Sequence, residues 1–490
     1  MADADAPIPA GRPGQKDLTS GPITRTLLIF ALPTLASSML QSLNGSINAI
    51  WIGQFLGEQA IAATTNANIV MFLMFSAVFG FGMAATILIG QSVGRRDVDA
   101  ARRVIGTAFS LFALASLATM TIGWLLAPAL LRLLATPQDV FPLALAYLRV
   151  IFLSMPPTFL STLLIMALRG TGDSLTPLWF MGLAAAIDVA LNPVLIHGLG
   201  PAPAMGIAGS ATATLIANYV SFIGLLAYIY RRDLMIRLRG SEMRYMVPQW
   251  ALLRTIFGKG LPMGLQVLVF STSALAMIGL VNRQGTATTA AYGAASQLWT
   301  YIQMPAMAVG AAVSAMAAQN IGAGRWDRVG HVARAGILMN LVLTGTLIVA
   351  VGLADRHVLW LFLGDDDRAI GIARHINLVV SWSFALFGVG MVLSAVVRAN
   401  GAVMVPLIIL IVGVFPIRFL VALAGLPHWG ADALWWSFPA GSIASLVMQT
   451  AYYRSGQWRK LRMAVPPSPI EAEEQALTDC EPAGRMYPAG

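Results

Sequence analysis

Charge is scarce in this sequence. Of 490 residues only 11% are Asp, Glu, Lys or Arg, against about 25% in a soluble domain. A soluble chain that is 57% hydrophobic could not cover its own surface. Cysteine is nearly absent: one residue, Cys480, near the C-terminus. That excludes disulfides within the chain and cysteine metal clusters. The five histidines are scattered and make no metal-ligand spacing. Acids are fewer than bases, leaving a net charge of +9. The glycine-bearing "GQSVG" and "QNIGAG" lack the Lys and Ser/Thr of a phosphate loop.

What is abundant is long apolar runs. About twelve are long enough to cross a bilayer as helices, near 26–51, 60–89, 104–127, 143–166, 176–197, 206–230, 261–282, 288–316, 335–354, 374–396, 405–424 and 432–453. They are continuously apolar, not alternating, which argues against a β-barrel. The expected fold is an all-α integral membrane protein. Trp51, Trp124, Trp429, Trp435 and Trp436 lie near expected helix ends and read as interfacial anchors. The segments between alternate spans, near 91–103, 167–175, 231–259, 317–334 and 397–404, hold most of the Lys and Arg together with the tails. By the positive-inside rule both termini are expected on the cytoplasmic side. The basic balance is therefore explained by topology, and nucleic acid is not an expected partner.

The two halves resemble each other at an offset of about 228–229 residues. "LPTLASSML" faces "LPMGLQVLV", "GEQAIAA" faces "GTATTAA", "GQSVG" faces "AQNIG", and "LRGTGDSLTP" faces "VRANGAVMVP". Arg169 thereby meets Arg398, and Gly172 meets Gly401. Six spans per repeat return the chain to its starting side, so the repeats are parallel. The expected organisation is a disordered cytoplasmic tail 1–23, an N-terminal six-helix lobe 24–232, a cytoplasmic linker 233–258, a C-terminal six-helix lobe 259–455 and a disordered tail 456–490. Two facing bundles can rock about a cleft, which is a transporter architecture.

One carboxylate stands inside an apolar span. Asp188 lies in "AAAIDVALNPVLI", about twelve residues into its helix. A carboxylate at a helix centre costs roughly 2.5–3.5 kcal/mol, so such residues are functional by default. Asn192 is one turn on and shares its face. Pro193 removes a backbone donor. Gln41, Asn44 and Asn48 form a polar stripe on the first helix, and Ser210, Thr214 and Asn218 form one on the sixth. Three stripes in one lobe point to one wet pocket. For Ser210, Gln41 and Asn218, bonding to a neighbouring helix is an equal reading. In the eighth helix Tyr292, Gln297, Tyr301, Met304 and Met307 are candidates for substrate contact, with ordinary packing the commoner use of such residues. Arg418 is an intramembrane cation nearly matching Asp188 across the repeat.

"FALPTLASSMLQSLNGSINAIWIGQFLGEQAIAA", "LNPVLIHGLG", "GIAGSATAT", "GLPMGLQVLVF" and "AAQNIGAGRWDR" together resemble the multidrug and toxic compound extrusion family. The resemblance spans about residues 24–460. It implies two six-helix lobes and export of drug-like, often cationic compounds in exchange for protons or sodium ions. It places Asn44, Asn48, Asp188, Asn192 and Thr214 around one pocket. Some positions depart from the family pattern. Asn48 stands where members often have an aspartate, the Asn–Asp order of the fifth helix is reversed, and Gln266 replaces a carboxylate of a sodium-coupled branch.

The function expected is a proton-coupled multidrug antiporter, not an enzyme, multi-pass in a bacterial inner membrane. Its partners would be small, drug-like, mostly cationic substrates and membrane lipid; it would work as a monomer without cofactor or metal. Asp188, Asn192, Asn48, Asn44 and Thr214 would carry the coupling ion, H⁺ with Na⁺ as the alternative. Gln41, Asn218, Gln266, Gln297, Tyr301 and Met304 would contact substrate. A lipid-linked sugar flippase would favour several cavity arginines, and only Arg149 and Arg418 read as intramembrane. An enzyme would need a cluster of reactive groups at one depth, and none is apparent. A single carboxylate in asymmetric lobes fits a gated site better than a pore.

Overall fold

In the computed structural model, residues 16–198, 203–364, 366–461, 463 and 465 are described. The remaining parts of both expected tails lie outside them. The chain is helical throughout these residues. The N-terminal lobe comprises α1 (Ile23–Leu56), α2 (Glu58–Gly94), α3 (Val98–Leu133), α4 (Phe141–Leu153), α5 (Met155–Gly170), α6 (Leu175–His197) and α7 (Ile207–Arg231). The C-terminal lobe comprises α8 (Trp250–Asn282), α9 (Thr286–Gly322), α10 (Trp326–Leu363), α11 (Asp367–Val380), α12 (Ser383–Ala399), α13 (Met404–Val412), α14 (Arg418–Trp429) and α15 (Asp432–Ser455).

Nine described helices are long and apolar enough to cross a membrane, counting α13 and α14 as one. Two more spans are bent pairs: α4 with α5 at 49°, and α11 with α12 at 41°. These breaks occupy equivalent places in the two repeats. The expected twelfth span, α15, is long enough at 24 residues but too polar to qualify on hydropathy. Most helices run past their apolar runs. α10 covers 326–363 where the run suggests 335–354, because a helix keeps its backbone bonds in water after it leaves hydrocarbon. Asp97 and Asp366 stop this extension at two N-termini, accepting from the N–H groups of Ala100 and Ala369 at 2.8 and 3.0 Å.

The expected domain edges shift accordingly. The linker expected at 233–258 is partly helical. A 3₁₀ turn, Gly240–Met246, packs beside α3 through an Arg102–Glu242 ion pair and a Tyr245–Asp99 hydrogen bond of 2.5 Å. α8 then starts at Trp250. Within the tail expected at 1–23, residues 16–22 are seated on the protein. Leu18 is fully buried. Its N–H donates to Gln319 Oε1 at 3.2 Å, and its carbonyl accepts from Asn320 Nδ2 at 3.0 Å. The other tail begins with buried Trp458, whose carbonyl accepts from Asn400 at 2.8 Å. Each tail covers a left-handed turn glycine that the repeat pairs. Gly172 (φ +95°) lies under Lys16, and Gly401 (φ +91°) lies under Met463. Trp435, expected as an interfacial anchor, is only 1% exposed and sits in a core.

The turns at residues 95–97, 171–174, 232–249, 323–325 and 400–403 and both seated tails share one end of the bundle, the basic end. There the lobes fuse. A Cβ on Gly94 would stand 2.0 Å from the Gln319 carbonyl oxygen, and one on Gly322 2.0 Å from that of Gln91. These are the repeat-related motifs "GQSVG" and "AQNIG". Glycine is there because two helix backbones touch. Gln91 and Gln319 then cross the interface symmetrically, donating to the carbonyls of Ala399 at 2.7 Å and Gly170 at 2.9 Å. One hydrophobic core runs through the N-terminal lobe into α9 and α10 at this end. A separate core, holding Tyr292, Trp299 and Trp435, fills the far half of the C-terminal lobe. The lobes are thus joined by a shared core at the basic end and packed on a separate core at the far end of the C-terminal lobe, the arrangement of a cleft opening away from the basic end.

Candidate functional site

The three polar stripes of the N-terminal lobe converge because α1, α6 and α7 pack side by side. Asp188 is 2% exposed. Its Oδ2 accepts from Asn44 Nδ2 at 2.9 Å and Asn48 Nδ2 at 2.7 Å, both on α1. Its Oδ1 accepts from Thr214 Oγ1 on α7 at 3.0 Å and from Asn192 Nδ2 at 3.3 Å. Asn192 also donates to Asn48 Oδ1 at 3.1 Å, closing a ring. The i, i+4 spacing of Asp188 and Asn192 and of Asn44 and Asn48 puts each pair on one helix face, so the two faces meet. α6 continues through Pro193 to His197.

Among the described residues, four donors and no cation meet this carboxylate. An ionised carboxylate only accepts, so the set is matched to the charged form. Two buried acceptors nearby, Asn44 Oδ1 and Asn192 Oδ1, have no partner. A half-turn of either amide would present an acceptor where a donor now stands, and a protonated Asp188 would need one. Tyr147 of α4 lies within electrostatic reach of Asp188. Nothing in the sequence singles it out, since a tyrosine in an apolar helix is ordinary.

The residues expected to touch substrate divide. Gln41 is exposed on α1. Asn218 donates to Thr158 Oγ1 on α5 at 3.1 Å, a helix–helix bond apart from Asp188. Gln266 and Gln297 line a cavity of about 340 Å³ in the C-terminal lobe, together with Tyr292. Tyr301 is 39% exposed and Met304 is 8% exposed; neither lines that cavity. They follow Gln297 on α9 by four and seven residues; Tyr301 is exposed there and Met304 is taken into packing. Met307, at 55% exposure, does not line that cavity either.

Arg398 is the residue that sequence reasoning misplaces. Its position beside the turn at 400–403 reads as cytoplasmic. Its side chain instead folds back into the bundle, donating to Gln266 Oε1 at 2.9 Å and Ser394 Oγ at 2.7 Å. It is 5% exposed. The repeat match to Arg169 was the available signal. Arg418 lines the same cavity, its guanidinium carbon 3.5 Å from the ring centre of Phe438. The scarcity of intramembrane arginine read from the sequence therefore does not hold in this lobe. Among the described residues no group of three or more His, Cys, Asp or Glu is gathered as a metal site would require.

The MatE family model matches this chain twice, over residues 33–194 and 262–423, once per lobe and at the offset of the internal repeat. A relative from Bacillus subtilis, named probable multidrug resistance protein YoeA, is 34% identical over 440 residues, covering 89% of this chain and 95% of its own. A relative from Shewanella oneidensis, named FAD transporter, is 26% identical over 442 residues, covering 90% and 96%. The solved structure of a mutant of the Vibrio cholerae MATE transporter VcmN shares the fold. Its TM-score is 0.82 at 20% identity, over 89% of this chain and 97% of that one.

Proposed function

This chain belongs to the MatE family, a family of membrane transporters and not of enzymes, and we propose that it exports drug-like compounds in exchange for protons carried on Asp188. That it is a multi-pass multidrug efflux transporter follows from its relatives. The coupling is our reading, and one observation carries it: the only described acid buried within a spanning helix is held by Asn44, Asn48, Asn192 and Thr214 from three helices. The remaining buried acid, Asp173, sits in a turn, where it accepts from the N–H groups of Leu175 and Thr176 at the start of α6.

Protonation would replace a charge with a neutral group that both accepts and donates. The four-donor ring would then rearrange, with Asn44 or Asn192 turning its free oxygen toward the new O–H. α1 packs on α9 and α10 of the C-terminal lobe, and its Leu27, Phe30 and Ala31 belong to the core they share. A change in how α1 is tied to α6 would thus reach the lobe contact. By the positive-inside rule the basic end is cytoplasmic, so the cleft opens outward; the bacterial relatives support a bacterial inner membrane as the site. Outside protons would enter Asp188 from the cleft, and inward opening would part Gly94 from Gln319 and Gly322 from Gln91.

A sodium ion is the second reading, favoured by the same two free oxygens, because carboxylate and amide oxygens suit a hard cation. One experiment tests both. Purified protein in proteoliposomes is given a pH gradient or a sodium gradient separately, with wild type beside Asp188→Asn. Exchange driven by pH alone and lost in Asp188→Asn supports proton coupling. Exchange that follows sodium overturns the ion, and normal transport by Asp188→Asn overturns the site.

A further inference from the structure

The cavity in the C-terminal lobe has its own chemistry. Two arginines, Arg398 and Arg418, line it, and among the described residues no Asp or Glu does. Both side chains are more than nine-tenths buried. Arg418 has the face of Phe438 as a neighbour but no carboxylate in an ion pair. Arg398 meets only the neutral oxygens of Gln266 and Ser394. An unpaired buried charge is costly, and proteins retain such charges where a ligand compensates them.

The hydrogen-bond inventory points the same way. Arg398 Nε, Arg418 Nε, Gln266 Nε2 and Gln449 Nε2 are buried without a partner, and all four residues line this one cavity. Each unmet group is a donor. What would satisfy them is an acceptor with several lone pairs and negative charge, which describes a carboxylate or a phosphate. The backbone is also unusual at this point. A π-helical turn, Gly413–Ile417, interrupts the span immediately before Arg418. Such turns re-aim side chains and are frequent at functional sites. Here the turn accompanies Arg418 lying inward over Phe438. Tyr292, Trp299, Phe270 and Phe387 supply flat apolar walls.

We propose that this cavity binds the oxyanion of an amphipathic aromatic compound, with Arg398 and Arg418 holding the charge and the aromatic walls holding the ring. The transported class would then be anionic or zwitterionic, contrary to the cationic substrates expected from the sequence. The proposal rests on reading the chain as an exporter of drug-like compounds, but not on its coupling ion. A phospholipid headgroup offers the same oxyanion as a free substrate does.

The test measures equilibrium binding, without any gradient, to the purified full-length chain in a neutral detergent. 1-Pyrenebutyrate is the anionic aromatic probe and ethidium the cationic one. Wild type should bind pyrenebutyrate, and Arg398→Gln and Arg418→Gln should each weaken it at least about tenfold, the scale of one lost charge-assisted contact. Arg418→Lys should recover part of the loss. Equal pyrenebutyrate binding in wild type and both Gln variants overturns the proposal. So does ethidium binding that the Gln variants weaken. If a Gln variant melts early, competition on wild type decides. 2-Naphthoate should displace the probe and its uncharged amide should not; equal displacement overturns the site. Nanodiscs with and without phosphatidylglycerol identify the source. Probe displacement by that lipid assigns the oxyanion to a headgroup and overturns the aromatic compound as occupant, and unaltered binding supports a soluble compound. Because no gradient is used, failure here leaves the Asp188 experiment intact, and failure there leaves this one intact.

Discussion

The two lobes share a fold, a repeat and an equivalent break in the fourth span, yet their interiors carry opposite charge. Asp188 sits in the N-terminal lobe among amide and hydroxyl donors. At nearly the equivalent place in the C-terminal lobe stands Arg418, with Arg398 in the same cavity. The first site is closed: every hydrogen bond its carboxylate needs comes from the protein. The second is open, leaving four donors unmet. Around the Asp188 carboxylate only two acceptors, Asn44 Oδ1 and Asn192 Oδ1, are left unmet, which suits a small cation that comes and goes. A site left incomplete suits a larger ligand that supplies the missing acceptors. Duplication thus gave one scaffold two interiors, and the division of labour follows from which side chains were placed inside.

The sharpest way to break this comparison is to neutralise the acid. Asp188→Asn should abolish pH-driven exchange in proteoliposomes, a loss of at least about 100-fold on the scale of a removed obligatory charge. Binding of the anionic probe in the C-terminal lobe should persist. Loss of both would mean that the lobes are not separate sites.

Voltage sharpens it next. One proton exchanged for one monocation moves no net charge, so collapsing the potential should leave monocation export nearly intact. One proton exchanged for one monoanion moves two charges, each worth ~2.3 kcal/mol per 100 mV. Collapsing the potential with valinomycin and potassium should then reduce anion accumulation steeply. Equal sensitivity of the two substrates would contradict one-proton stoichiometry.

The lobe junction offers a symmetric pair of variants. Gly94→Ala and Gly322→Ala each place a Cβ 2.0 Å from a backbone oxygen of the other lobe. Each should cost about 1–3 kcal/mol in stability, as overpacking does, visible as a lower melting temperature in detergent. A large difference between them would show that the pseudo-symmetry does not extend to mechanics. A smaller effect is expected for Asn218→Ala. It removes one bond between α7 and α5, worth ~0.6 kcal/mol in membrane proteins, and should leave coupling unchanged.

The least effect concerns the seated N-terminal segment. Burial pushes the Asp17 carboxyl up, but hydrogen bonds from Thr19 and Ser20 and the charge of Arg325 outweigh it and hold the group below its ordinary 3.8. A depressed carboxylate stabilises the docked segment fully above pH 3.8 and loses that contribution as pH falls below it. Hydrogen exchange at the Leu18 amide should therefore quicken in acid and in Asp17→Asn at neutral pH. Unaltered exchange in Asp17→Asn would show that the bonds from Gln319, Asn320, Arg325 and Arg328 hold the segment without Asp17.

Much of the N-terminal site was legible because its spacings are helical. Asn44 with Asn48 and Asp188 with Asn192 each repeat at one turn, and a helix carries that spacing into space without help. Tyr301 and Met304 stand outside the C-terminal cavity for the complementary reason. Their register on α9 is plain, but which way that helix faces depends on α11, α12 and α15 around it. Arg398 was hidden by the position of its Cα at a helix end, since a long side chain can return a turn into the bundle. The helix ends were misjudged because hydropathy marks where lipid stops, not where the backbone uncoils.

The sequence alone determined the solvent, the spans, the duplication and the presence of one intramembrane acid, because hydropathy and self-similarity are read along one dimension. The tertiary structure decided what each buried charge meets. Compensation of a charge is set by neighbours from other helices: α1 and α7 complete Asp188, whereas α8, α12 and α15 surround Arg398 and Arg418 without supplying an acid. No local spacing records that difference, because it depends on how helices far apart in the chain are rotated against one another.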